Sequence, residues 1–213
     1  MSHHVSVSTP HSRRAVVRGV AWSVPVIAAA VAAPAAAASV NTLGLAFTAS
    51  STSLLSLRVL DGASALTAQS LVTVPTILTF TNGPGAITDN ALVTVSVSRP
   101  AGINLPVGRA RGFGVYSFNG SATTAAQRTT TYQSAPLLGQ YGFPSTTWSN
   151  NVPVTIAGNG TLNLPIVFGL AGTSTGVSIS LLASFLVTVT VVIGGRTLTA
   201  ISSISVPVGA GIL

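Results

Sequence analysis

The chain has 213 residues, 47% hydrophobic and only 5% charged, with nine basic residues against two acids and a formal charge of +7. Cysteine is absent, which excludes disulfide stapling, thiol catalysis and cysteine-ligated metals and leaves a sizeable core to hold the fold. Every basic residue is an arginine, the histidines are confined to His3, His4 and His11, and the carboxylates are Asp61 and Asp89.

Arg13, Arg14 and Arg18 precede an almost uncharged run, Gly19 to Val31, which ends in alanines before Ser39. A positive stretch, an apolar stretch and small residues in that order make a secretory signal. Residues 1–38 are therefore expected to be a signal peptide in transient contact with the membrane, cleaved after Ala38 or after Ser39. Gly19 to Ala38 is long enough to cross a bilayer, but Pro25 and Pro34 interrupt it and no basic stop follows, which favours cleavage over a retained anchor. Ser12-Arg13-Arg14, followed after one residue by Val16-Val17 and Arg18, resembles the twin-arginine export signal of bacteria. The run Ala21-Trp22-Ser23-Val24-Pro25-Val26-Ile27-Ala28-Ala29-Ala30 resembles leaders of secreted proteins from high-GC Gram-positive bacteria. Both resemblances imply an extracellular or cell-surface location, and the first implies export of an already folded protein; a short basic patch before an apolar run also satisfies the ordinary unfolded-chain route.

Beyond the leader, six arginines against two aspartates leave a net charge of +4 over about 175 residues. The arginines form no cluster of the kind that neutralises phosphates, so no nucleic-acid partner is expected. One stretch, Arg109-Ala110-Arg111-Gly112-Phe113, resembles the arginine-glycine segments that contact RNA, but it occurs once. Scarcity of charge does not signal disorder here, because Val, Leu, Ile and Thr fall in strand-length runs. Solubility then rests on hydroxyls and amides, and such a weakly self-repelling surface suits self-association or contact with a cell-wall or surface component.

Leu43, Leu45 and Phe47 alternate with small residues and are followed by Leu55, Leu57 and Val59, which predicts a first pair of strands before the turn signal Asp61-Gly62. Leu71 to Val74 runs into Pro75, Ile77 to Phe80 follows, and Thr81-Asn82-Gly83-Pro84-Gly85 punctuates. Ala91, Val93, Val95 and Val97 give the cleanest period of two in the chain, predicting a half-buried strand. The stretch from Ile77 to Val97 resembles a strand pair of immunoglobulin-like repeats in bacterial surface proteins. Those domains include some crosslinked through lysine and asparagine, a chemistry that the missing lysine rules out here.

From Pro100 to Trp148, glycines and most of the aromatics are mixed. Strands are expected at Phe113 to Phe118 and Arg128 to Gln133, with long loops between. Asn119-Gly120-Ser121 and Asn159-Gly160-Thr161 match the glycosylation sequon but are read as turns. Val152 to Ala157 and Leu162 to Leu170 read as a hairpin about Gly158-Asn159-Gly160. Val177 to Ile193 reads as a long or bent central strand, because serine, threonine and β-branched residues interrupt what would otherwise be a membrane-length run. Gly194-Gly195 then suits a tight turn into Leu198 to Val206.

These elements predict an all-β protein, an antiparallel β-sandwich of immunoglobulin-like or related Greek-key arrangement over 39–213. It forms either one domain or two sub-domains, 39–108 and 148–213, joined by the glycine- and aromatic-rich region. No catalytic, cofactor-binding or metal-ligating set emerges, since beyond the expected leader two aspartates in turn contexts, without histidine, lysine or cysteine, supply little acid-base or ligand chemistry. The expected function is therefore a non-enzymatic, secreted or cell-surface structural or adhesive role through passive contacts. A glycan- or peptide-binding module is the alternative, in which Tyr116, Tyr132, Tyr141 and Trp148 of the loops 109–148 contact the ligand. A self-assembling surface-layer or filament subunit is a third reading.

Overall fold

A computed structural model describes residues 42–58, 60, 67–103, 105–175 and 183–206. The expected signal segment 1–38, with Arg13, Arg14 and the cleavage position, lies outside them, as do the Asp61-Gly62 turn and residues 177–182. The described chain is all-β and antiparallel. Its strands are β1 (Gly44–Arg58), β2 (Thr67–Thr81), β3 (Ile87–Val97), β4 (Gly112–Phe118), β5 (Ser121–Ala122), β6 (Arg128–Ala135), β7 (Gly139–Ile156), β8 (Thr161–Ala171), β9 (Ala183–Ile193) and β10 (Arg196–Val206). A 3-10 turn, Ala125–Gln127, separates β5 from β6.

The strands form one curled sheet in the order β5-β4-β8-β2-β10-β9-β3-β7-β6, with β1 paired along β2. Strands from the first half of the chain pair with strands from the second: β2 with β8 and β10, and β3 with β7 and β9. A single hydrophobic core fills the curl. Alternation builds it: Val93, Val95 and Val97 of β3, Val187, Val189 and Val191 of β9, and Val152, Val154 and Ile156 of β7 are all buried. Phe185 packs edge-on against Phe113 at 5.0 Å and Phe143 at 5.7 Å, joining the two limbs of the curl. The result is sandwich-like.

Several sequence expectations change. The two strands expected on either side of Ser50 are one strand, β1, which carries a register shift at Phe47 to Ser50. Pro75 does not end a strand either. It lies opposite Ser50, next to that shift, and on its other side β2 changes partner between Thr73, paired with β10, and Ile77, paired with β8. A residue without an N–H fits where no ladder bond is required. Pro165 follows the same logic, since β8 pairs with β2 up to Pro165 and with β4 from Ile166.

The segment Gly139 to Trp148 is strand rather than loop, because β7 runs through Gly142 and Pro144, pairing first with β6 and then with β3. Asp89 lies within β3 and not in a turn, although its carboxylate does accept a backbone N–H, that of Asn90, at 2.7 Å. Two expected pairs are not pairs. β7 and β8 flank the turn at Gly158 to Gly160 but bond to different neighbours, as do β2 and β3. Both connections cross from one limb of the curl to the other, and they bond to each other: Asn82 N donates to Gly160 O and Asn159 N to Gly83 O. The apolar stripes of all four strands face the core, which a crossing satisfies and a flat hairpin would not.

Other expectations hold. β3 alternates as read, Asn119 and Asn159 occupy turns with φ of 49° and 55°, and β9 is central, paired on both sides. Gly194 and Gly195, φ 55° and 74°, make the two-residue turn into β10.

Candidate functional site

The curl brings the sheet's two ends together, β4 and β5 from one side and β7 and β6 from the other. One end of the resulting seam is closed by main chain. Gly142 N donates to Gly108 O at 2.8 Å and Ala110 N to Gly142 O at 3.0 Å. The buried hydroxyl of Thr146 on β7 donates to Phe113 O on β4 at 2.6 Å.

Arginines finish the closure, and they do so by capping carbonyls. Arg111 Nη1 donates to Gly172 O, Arg99 Nε to Phe143 O and Nη2 to Thr131 O. Arg128 Nη1 donates to Thr123 O at 2.9 Å and Nη2 to Leu60 O at 3.2 Å. Arg109 lies over the Tyr132 ring, 5.9 Å from its centroid. Much of the positive charge of the described chain is thus bound to its own backbone at strand ends.

Tyr132 is part of the same closure. Its hydroxyl accepts from Thr173 N at 2.8 Å and lies 2.8 Å from Thr173 O and 3.1 Å from Ala110 O. Burial is the main reason that its pKa is raised above the ordinary tyrosine value; hydrogen bonds with Thr173 and the charges of Arg109 and Arg111 oppose the shift. Gly172, at φ +82°, leaves room for the ring, since a Cβ there would overlap the tyrosine hydroxyl.

The other end of the seam stays open. Between the Asn119-Gly120 turn and β5 on one side, and Trp148 to Pro153 of β7 on the other, lies a cleft of about 280 Å³. Phe118 and Trp148, stacked at 4.8 Å, close the core beneath it. Its rim carries Asn119, Ser121, Gln127, Asn150 and Asn151, and none of the lining residues is ionisable.

Of the four aromatics singled out from the sequence, Trp148 is 3% exposed and belongs to this core. Tyr132 and Tyr141 lie at the closed end; β6 and β7 pair Gln133 with Tyr141, and Tyr141 is roughly 20 Å along β7 from Trp148. Tyr116 sits at a register shift between β4 and β8. The four therefore do not share one exposed patch, and the cleft forms around amides that the sequence reading passed over. One signal was available: Trp148, Val152, Val154 and Ile156 make an inward stripe of period two, with Asn150 as its single polar interruption.

Among the described residues no three of His, Cys, Asp and Glu come together as a metal site, and no helix is long and apolar enough to cross a membrane. No protein-family model, curated protein or solved structure matches the chain.

Proposed function

We propose that this chain is an exported, non-enzymatic surface protein that works by passive contact with a cell-wall or surface component, delivered by the leader containing Arg13 and Arg14. The observation that supports this reading is the outer face of β6, β7, β3, β9 and β10. Pairing aligns Thr129, Thr147, Ser96, Thr188 and Ile201 in one row across the five strands, and Ser149, Thr94, Thr190 and Thr199 in the next. Neighbours within a row are about 4.8 Å apart and rows about 7 Å apart. Thr94 and Ser149 hydroxyls bond at 3.0 Å, while Leu92, Leu186, Val192 and Ile201 are exposed among the hydroxyls.

The charged residues of these five strands are Arg128, Asp89 and Arg196, each within three residues of a strand end. A hydroxylated, partly aliphatic face without charge loses little solvation on contact and repels neither polymers nor other proteins. Co-sedimentation with isolated envelopes of the native host tests the contact. Thr188→Lys with Ile201→Glu places an opposite-charge pair directly across β9 and β10, which preserves pairing while charging the face. Retention is expected to fall by about tenfold; unchanged retention overturns the assigned face. Fractionation with N-terminal sequencing tests export, with Ser39 or Val40 as the expected first residue and an uncleaved cytoplasmic chain as the contrary result.

A further inference from the structure

We infer that the open end of the seam is a binding site for one ring of a neutral saccharide. The inference goes beyond the sheet-face contact proposed above and does not depend on it. Its first ground is Asn150. Trp148 and Val152, two residues to either side, are buried, so position 150 lies on the core-facing stripe of β7, yet Asn150 is polar and exposed. Asparagine is a poor strand residue, and Asn150 and Asn151 lie together deep inside an 18-residue strand. A local rule broken without a compensating contact in the fold marks a place shaped by something other than stability.

The second ground is the chemistry of the walls. Carboxamides of Asn119, Asn150 and Asn151 among the lining residues offer donors and acceptors, Gln127 adds an amino group while its oxygen accepts from Thr124 N at 2.9 Å, and Ser121 adds a hydroxyl. Vicinal hydroxyls, each donor and acceptor, match that set. No lining residue is ionisable, and the guanidinium of Arg128 behind Thr123 is engaged by the Thr123 and Leu60 carbonyls, so an ionic ligand meets no counter-charge on the cleft wall itself. Trp148 adds a further unspent group, since its indole N–H is buried and meets no acceptor among the described residues.

Size and edges narrow the ligand further. At about 280 Å³ the cleft lies just below the usual range of ligand sites, roughly 300 to 1,000 Å³, enough for one ring and not for a long chain. An extended peptide recognised by strand addition needs a free edge, and β5, beside the cleft, has two residues.

The chain supplies its own probe, because its tryptophans are Trp22, in the expected leader, and Trp148. In the full chain carrying Trp22→Phe, the emission of Trp148 is followed during titration with free neutral hexoses and N-acetylhexosamines, with glucuronate and a short uncharged peptide for comparison. A saturable response to at least one neutral sugar in the millimolar range is expected. Asn150→Leu and the rim variant Ser121→Arg should each weaken it about tenfold, while Thr190→Lys on the outer face leaves it unchanged. Ser121 is exposed, so its substitution decides the matter if Asn150→Leu fails to fold. No saturable response to any neutral sugar, a response to the peptide or to glucuronate alone, or equal responses in wild type and Ser121→Arg overturns the site.

Discussion

The two ends of the seam are built from the same strands and solve closure differently. At the Gly142 end, main-chain bonds, arginine-capped carbonyls and the Tyr132 hydroxyl meet the polar requirements of the approaching backbones. At the Asn150 end the strands separate, and one amide, Asn150, stands where the alternation asks for an apolar side chain. The contrast teaches that this sheet can close and that the cleft is a local departure from closure.

The largest test of the contrast is to remove a ring at each end. Phe185→Ala empties a fully buried site held between Phe113 and Phe143, and should cost about 4 kcal/mol in denaturant unfolding. Phe118→Ala should cost less, about 3 kcal/mol, because water from the cleft can fill the vacated space. An equal or reversed order would mean that the open end is as tightly sealed as the closed one. Next comes Arg128→Met, which preserves much of the aliphatic stem and strips the Thr123 and Leu60 carbonyls of their donor; a loss of about 2 kcal/mol is expected. A loss below about 0.5 kcal/mol would show that water replaces the guanidinium there.

Tyr132→Phe is smaller again, about 1 kcal/mol for hydrogen bonds at a partly exposed hydroxyl. It also carries a pH signature. The folded tyrosine has the higher pKa, so the fold holds this proton more tightly than the unfolded chain does. Stability is therefore unaffected below the unfolded value of about 10 and falls as pH rises from there through the folded value. Phe at 132 should flatten that alkaline decline; an unchanged slope would assign it to other groups.

What was legible in the sequence depends on the range of the interaction concerned. The β9–β10 hairpin could be read because Gly194-Gly195 dictates its turn locally, and β3 because valine at alternate positions dictates its face. Pro75 reads as a break, and Gly142 as part of a loosened, loop-rich region, because a local rule makes them so; Pro144 lies in the same bulge as Gly142. Each sits where β2 or β7 changes partner or bulges, and only the arrangement of distant strands determines that. Gly158 to Gly160 suggests a hairpin where the chain crosses, for the same reason, since a crossing and a hairpin can carry the same turn residues. The cleft was half legible. Trp148 drew attention as an aromatic, whereas Asn150 could be recognised as out of place only once the inward stripe from Trp148 to Ile156 was counted through it.

Asn150→Leu, the smallest expected effect, separates the two ends most directly. If position 150 is packed as tightly as the rest of the inward stripe, leucine is overpacked there and stability falls by about 1 kcal/mol or more. If the position is kept polar for a ligand, leucine extends the stripe between Trp148 and Val152 into available space and raises the unfolding midpoint, a gain of about 0.5 to 1 kcal/mol. Stabilisation together with loss of the Trp148 response would show that asparagine is maintained at the expense of the fold. Destabilisation would return the residue to an ordinary structural role and leave the seam's two ends differing in degree alone.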